Sequence, residues 1–467
     1  MAEYYDELLK LCGFADDEIE KERPRIEKTF RKLELGPEDM KTAEKWVRQN
    51  HDVELMGVRK LLWIWLKELI DLVLAKDEGK RLLYYGFPTI AGPASVVAAA
   101  SEDVYCVCPD AVLCYTMGQI FNKLTPILEA GEENGLPAGH GLCSLLQIRV
   151  GGMVKGIIPV PDMVITSSYN CDMGSKADEL LHQRYGHPAV YVDGSMDSRW
   201  GEFPNYLPQR ADYLGGQLEK VFDKAKEILG VEVTAEARSE GATRNRELTG
   251  ALRQLLELMK EADPQPISIV DVEVARRLTS GSAGRRIATD GPNIIAALNQ
   301  EIKDRMDRGI GVVEKGAPRV IICMAHFSDP STTHMMEDCG LSIPATLHAL
   351  FAARIFKTTP FISGEILAKE QLERGPFHGS CGEITRAAEA VQEFNADGVI
   401  WNYSFNCRPI ALTSHLLKQF VEKETGIPVL SLEFDWYDSR SYSAAALRTK
   451  VETFAEMLRA RKASAKV

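Results

Sequence analysis

The sequence predicts an α/β protein of two parallel-sheet units, opened by an N-terminal helical region and joined by a helical connector. Three observations lead there. From Arg81 onward, short apolar runs punctuated by Gly and Pro alternate with helical stretches, the pattern of parallel strands joined by crossover helices. The same alternation resumes at Arg319 after a long stretch of helical composition, and one segment of the first unit is echoed in the second. At 467 residues the chain is too long for one ordinary core. At ~150 residues per domain it suits two or three packed units.

Residues 1–78 are expected to form a helical cap, because Asp16 to Leu33 and Pro37 to Leu74 are rich in Glu, Lys, Leu and Arg without strand-like alternation. The most apolar helical stretch, Leu61 to Ala75, is interrupted by Lys67, Glu68 and Asp71. It is shorter than the ~20 apolar residues of a membrane span and is expected as a buried helix face, with no membrane role. Residues 79–225 form the first predicted α/β domain, with strands in LLYYGFP, EDVYCVCP, DMVITSS and AVYVDG. Residues 226–315 form the connector. Arg210 to Lys260 and Asp271 to Arg308 are helical in composition, apart from the turn-rich Thr279 to Pro292. Residues 316–467 hold the second α/β domain, with strands in RVIICMAHF, DGVIWNYS and IPVLSLEFD and a closing helix over Ser443 to Ala463.

Composition narrows the function. Hydrophobic residues at 45% and charged residues at 26% are those of a globular enzyme. A net charge of -12 without a long basic run argues against a nucleic-acid surface, which needs clustered Lys and Arg. Met1 to Lys10 is acidic and amphipathic, unlike a signal peptide, so a cytoplasmic location is expected. Ten scattered cysteines would there be mostly reduced, leaving metal ligation or core packing as their roles.

The echo singles out two of them. PDMVITSSYNCDMGSKADELLHQRYGHPAVYVDG (161–194) and ADGVIWNYSFNCRPIALTSHLLKQFVEKETGIPVLSLEFD (396–435) share Asp-x-Val-Ile, then Asn-Cys, then a helix carrying Leu-Leu, then Gly-x-Pro and a strand ending at Asp. Cys171 and Cys407 thus stand at the C-terminal edge of a parallel strand, where open α/β sheets bind ligands. Each precedes a helix, whose free N–H groups and dipole should lower the thiol pKa and favour the metal-binding thiolate. Cys143, 28 residues before Cys171, opens another apolar-periodic stretch. The spacings of 28 and 236 residues fit no compact zinc or ferredoxin motif, so buried small hydrophobes and metal ligands both remain open.

The segments MGQIFNKLTPILEAGEENGLP (117–137), PDMVITSSYNCDMGSK, YGHPAVYVD and IPVLSLEFDWYDSR, followed by RTKVETFAEML, resemble the 2-hydroxyacyl-CoA dehydratase and benzoyl-CoA reductase family, over roughly residues 80 to 460. The resemblance implies two Rossmann-like, flavodoxin-like domains holding a 4Fe-4S cluster on three cysteines, which match Cys143, Cys171 and Cys407 by position. It implies one iron without a protein ligand, and one-electron reduction of a thioester carbonyl to a ketyl that expels an α-hydroxyl. In the aromatic branch the ring is reduced instead, and the alternative from another class is a non-catalytic electron-transfer or scaffold subunit that carries the cluster while a partner binds substrate. It further implies an acyl-CoA substrate, a homologous second subunit or a dimer of the chain itself, and a separate ATP-hydrolysing iron-sulfur activator. The absence of a GxxxxGK[ST] loop from this sequence fits that division of labour.

Other residues are weaker candidates. Cys106, Cys108, Cys114 and Cys381 could add ligands, as a double-cubane reductase of the same superfamily would need, although alternation puts Cys106 and Cys108 on one sheet face where core packing is usual. Cys12, Cys323 and Cys339 look structural. His140, three residues before Cys143, is the acid-base candidate, ahead of His326 and His378. Glu433 and Asp435 end a strand and serve either a site or a cap. Arg285 and Arg286 meet the CoA phosphates or form an exposed charged turn.

Overall fold

The computed structural model describes residues 3–86, 90–137, 139, 142–168, 171–194, 199–353, 361–373 and 380–464. Four helices open the chain: α1 (Asp6–Leu11), α2 (Asp16–Lys32), α3 (Pro37–Asn50) and α4 (Met56–Leu74). The single helical run expected over 37–74 is therefore broken. His51 leaves helical backbone, and its Nδ1 lies 2.7 Å from Asp271, whose other oxygen accepts the Asp52 N–H. A tertiary contact has overridden helix propensity here. Helix α4 is buried on most sides, as its sequence suggests, and its charges are satisfied inside: Lys67 pairs with Glu18 and Glu22, and Glu68 accepts the Tyr105 hydroxyl at 2.8 Å. Among the described residues no helix is long and apolar enough to cross a membrane.

The first unit runs β1 (Arg81–Tyr85), α5 (Ala91–Ala100), β2 (Val104–Val107), α6 (Pro109–Leu113), a π-helical segment Cys114–Ile120, α7 (Thr125–Glu133), α8 (Ser144–Val154), β3 (Met163–Ser167), α9 (Asp172–Tyr185) and β4 (Ala189–Val192). The connecting helices follow: α10 (Pro208–Leu229), α11 (Ala235–Glu261), α12 (Ile269–Arg277) and α13 (Arg285–Asp307). The turn expected over Thr279 to Pro292 is shorter than predicted, because α13 starts at Arg285 and continues through Pro292. The second unit comprises β5 (Arg319–Ile322), α14 (Ser331–Asp338), β6 (Ser342–Thr346), α15 (Leu347–Ala352), α16 (Gly364–Glu373), α17 (Ser380–Glu393), β7 (Gly398–Tyr403), α18 (Arg408–Thr425) and β8 (Val429–Glu433), closed by α19 (Ala444–Ser464).

Both sheets are parallel throughout, in the orders β2-β1-β3-β4 and β6-β5-β7-β8. These are the same topology twice, the doubly wound order, and the chain reverses its winding between β1 and β3 and again between β5 and β7. Strand alternation splits the first sheet between two cores. Leu82, Tyr84 and Val164 face a core shared with α4 and the second sheet, whereas Leu83, Tyr85, Met163 and Ile165 face one made with α10.

The echo superposes bond by bond. Asp162, just before β3, accepts the Leu82 N–H of β1 and the Lys76 ammonium, each at 2.6 Å. Asp397, just before β7, accepts the Arg319 N–H of β5 at 2.8 Å and the Lys462 ammonium at 3.0 Å. Each carboxylate therefore sets the register of a central strand pair. Helices α9 and α18 both end on a left-handed glycine, Gly186 (φ 73°) and Gly426 (φ 69°), where a side chain would be strained. The prolines that follow accept equivalent strand N–H groups, Val164 to Pro188 and Val399 to Pro428.

Candidate functional site

The third strand of each sheet delivers a cysteine to the N-terminus of the next helix. Cys171 is the N-cap of α9, Cys407 the N-cap of α18, and Cys143 the N-cap of α8, all three in extended backbone. All three line one cavity of about 220 Å³ between the two units. None of the three sulfurs accepts a capping hydrogen bond, but the nearby N–H groups of the helix starts favour each thiolate: Leu145 for Cys143, Met173 and Gly174 for Cys171, Ile410 for Cys407.

Expectation and structure part on the thiol acidities. Burial raises all three, Cys407 to about 12 and Cys143 well above the ordinary range, and the helix N–H groups offset only part of it. Desolvation of an anion exceeds the pull of a helix terminus. Cys143 feels both Cys407 and Cys171, so the three thiols hinder one another's ionisation. Among the described residues, no three His, Cys, Asp or Glu side chains converge tightly enough to hold a single metal ion.

Asp435 holds the arrangement. Its buried carboxylate accepts the Ser144 hydroxyl at 2.8 Å and the Asn406 amide at 3.1 Å, the residues next to Cys143 and Cys407, while its other oxygen accepts the Tyr437 and Asp438 N–H groups. Its counterpart in the first unit, Asp193, is exposed and takes the Ser168 hydroxyl. Across the cavity mouth, Arg408 at the start of α18 pairs with Asp172 at the start of α9.

Part of the lining was not foreseen from sequence: Arg276, His348 and Glu383. Arg276 pairs with the fully buried Glu273, which also accepts the Thr346 hydroxyl at 2.6 Å and faces Arg277. Burial opposes the charge on Glu273, yet the two arginines hold its carboxyl below the usual range. Arg277 is clamped between the Tyr115 and Phe327 rings and donates to the His326 carbonyl. Burial, aided by Arg276, pulls His348 down to about 3, so its imidazole is neutral. Nothing in the local sequence marks these residues, because they come from α12, α15 and α17, far apart along the chain.

The remaining candidates fall elsewhere. Cys106 and Cys108 pack in the outer core of the first sheet, Cys12, Cys114, Cys323 and Cys339 are buried, and Cys381 is half-buried; none of these lines the cavity. His326 is buried against Phe434, and its Nδ1 accepts the Ser328 and Asp329 N–H groups, which makes it structural. Glu433 is exposed beside the Tyr403 hydroxyl. Arg286 binds Asp71, and Arg285 reaches Glu102 and the Ala98 carbonyl, both away from this cavity. His140, His378 and the Asn170 of the repeat lie outside the described residues.

Two like-ordered parallel sheets, facing each other across a cavity lined by a cysteine from the third strand end of each, define a two-unit α/β protein with its site at the seam. The chain belongs to the 2-hydroxyglutaryl-CoA dehydratase, D-component family, whose profile matches residues 106–458. It is 21% identical over 330 residues to the (R)-phenyllactyl-CoA dehydratase alpha subunit of Clostridium sporogenes, covering 69% of this chain and 77% of that one. It is 17% identical over 351 residues to the (R)-2-hydroxyisocaproyl-CoA dehydratase alpha subunit of Clostridioides difficile, covering 72% and 81%. Against a benzoyl-CoA reductase subunit of Thauera aromatica it is 23% identical over 342 residues, covering 69% and 78%. The family is thus one of acyl-CoA dehydratase and reductase enzymes.

Proposed function

We propose that this chain is the iron-sulfur subunit of an oxygen-sensitive 2-hydroxyacyl-CoA dehydratase, with Cys143, Cys171 and Cys407 as the ligands of a 4Fe-4S cluster. The carrying observation is that these three cysteines, from two units and three helix starts, line one cavity. The donor set suits such a group. Three soft sulfurs lining one cavity are the ligand type of an iron-sulfur cluster, in which each thiolate meets its own iron. When bound, a cubane with three protein thiolates supplies a Lewis-acidic iron open to a substrate oxygen and a one-electron donor for a thioester carbonyl.

The protein's own residues do the rest. Asp435 fixes the segments carrying Cys143 and Cys407 relative to each other, and half-buried thiols at helix starts surrender their protons when metal binds. Arg276 and neutral His348 offer polar contacts to an acyl group entering the cavity. A homologous second subunit, or a second copy, and an ATP-hydrolysing activator are the partners proposed; the relatives are themselves named as subunits. A benzoyl-CoA reductase type of reaction is the second reading, favoured by the similarity to a subunit of that enzyme. The buried positions of Cys106, Cys108 and Cys114, off the cavity, give no support to a double-cubane cluster.

Anaerobic purification followed by iron and sulfide quantification tests the ligand set. The wild type is expected to carry about four of each per chain, and Cys143→Ala, Cys171→Ala and Cys407→Ala each to lose most of them. Full iron in all three variants would dismiss the assignment. Turnover of 2-hydroxyisocaproyl-CoA or phenyllactyl-CoA, set against reduction of benzoyl-CoA, separates the two reactions.

A further inference from the structure

Helix α17 brings Glu383, 7% exposed, to the lining of the same cavity, near enough to Cys407 to raise its thiol pKa. Among the described residues its carboxyl has no hydrogen-bond or ion-pair partner. That is unusual for a buried acid, whose polar atoms are normally satisfied. The other buried acids near the seam are committed. Asp435 accepts from side chains and backbone N–H groups, and Glu273 is paired with Arg276 and hydrogen-bonded to Thr346. The charged or titratable groups lining the cavity with Glu383 are Arg276 of α12, His348 of α15, Glu370 of α16, Cys143, Cys171, Cys407 and Arg408 at helix starts, and Tyr437 after β8. Cys323, at the end of β5, also senses it. Arg276 is held by Glu273 and Arg408 by Asp172, and neither pairs with Glu383. Among the described residues the Glu383 carboxyl is left open to whatever enters the cavity.

We propose that Glu383 is the proton donor and acceptor of this site. Its carboxylic acid gives the proton that turns the departing α-hydroxide of a 2-hydroxyacyl thioester into water, and its carboxylate then takes the proton lost from the β-carbon. This rests on the dehydratase reading above. The balance closes: the Cα–O and Cβ–H bonds break, a Cα=Cβ bond forms, one water leaves, and Glu383 ends protonated as it began. Loss of water is redox-neutral overall, so no net oxidant or reductant is consumed.

A carboxyl withdrawn from bulk water suits both halves of this cycle, because burial favours its neutral, proton-donating form. Burial alone lifts Glu383 to about 8, in agreement with the geometry. Neutral His348 and the fixed guanidinium of Arg276 cannot alternate between donor and acceptor in this way near neutral pH.

Two measurements on the full chain test this. Difference infrared spectroscopy, read between pH 5 and 9, is expected to show a protonated-carboxyl band in the wild type that is lost near pH 8 and missing from Glu383→Gln. This reads the protein without turnover. In cluster-loaded, activated enzyme fed 2-hydroxyisocaproyl-CoA, Glu383→Gln is expected to lower kcat by at least about 100-fold with KM within a few-fold and iron content unchanged, while Glu383→Asp restores part of the rate. The alkaline limb of the kcat profile should also disappear in Glu383→Gln. A wild type without the band, or a fully loaded Glu383→Gln with undiminished kcat, overturns the proposal. Failure of the parent reading shows elsewhere, in a wild type that binds no iron.

Discussion

At the residue scale, one carboxylate ties the seam and another strains it. Asp435 receives donors from the neighbours of both Cys143 and Cys407, so replacing it with Ala leaves Ser144 and Asn406 without a partner in a buried place. Each orphaned donor costs about 1–3 kcal/mol. Asp435→Ala is expected to lower the urea midpoint and the iron bound after anaerobic reconstitution, and an unchanged iron content would show that the cysteine segments hold their places without it. Glu383 acts in the other direction. Its pKa rises from the ordinary 4.5 to about 8 in the fold, so between those values the folded chain binds more protons than the unfolded one. Stability must then fall as pH climbs through this window. Glu383→Gln escapes that loss, and its Tm in iron-depleted protein is expected to pull ahead of the wild type progressively from pH 5 to pH 8. A constant difference across that range would refute a raised pKa.

At the element scale, helix ends and strand starts carry the information that the sequence displays. The paired Asp-x-Val-Ile motifs were readable because Asp162 and Asp397 act locally, each bonding an N–H at the start of the neighbouring strand and a lysine. Cysteines ahead of a helical pattern were readable as helix caps for the same reason. Strand β6 was not: Ser342–Thr346 is short and carries Pro344, which a central strand rejects but an edge strand tolerates, and β6 is an edge. Nor was the break between α3 and α4, set by Asp271 more than two hundred residues away. The joint at that break is expected to respond to pH. Burial pulls His334 of α14 down, but Glu337 at 3.3 Å and the Asn50 carbonyl at the end of α3 outweigh it and lift it to about 9. A histidine raised in the fold adds stability that is complete below its ordinary 6.5 and lost as pH rises toward 9. Wild type and His334→Gln are expected to differ most in urea midpoint at about pH 6 and to converge by about pH 9.5; a gap that persists at alkaline pH would assign the contact to packing rather than charge.

At the scale of the whole molecule, the two units share one continuous core. It runs from Leu61 and Trp65 of α4 through Leu82 and Val164 of the first sheet to Val320 and Ile400 of the second. The sequence announced two similar units, but not that Arg276, Arg277, Glu273 and Asp435 would all be buried, since that requires knowing how the units meet. A shared core makes the units unfold together, whereas a cluster on Cys143, Cys171 and Cys407 would add ties across the seam only in the folded state. A group bound to the folded chain alone raises its stability by mass action, and the more so when its ligands are far apart in sequence. Stripping iron with a chelator under anaerobic conditions is therefore expected to lower Tm while leaving a single cooperative transition by calorimetry. The loss should shrink in Cys407→Ala, which removes the second unit's ligand and with it the tie. Equal Tm values with and without iron would place the metal outside the seam, and two separated transitions would mean that the common core does not couple the units.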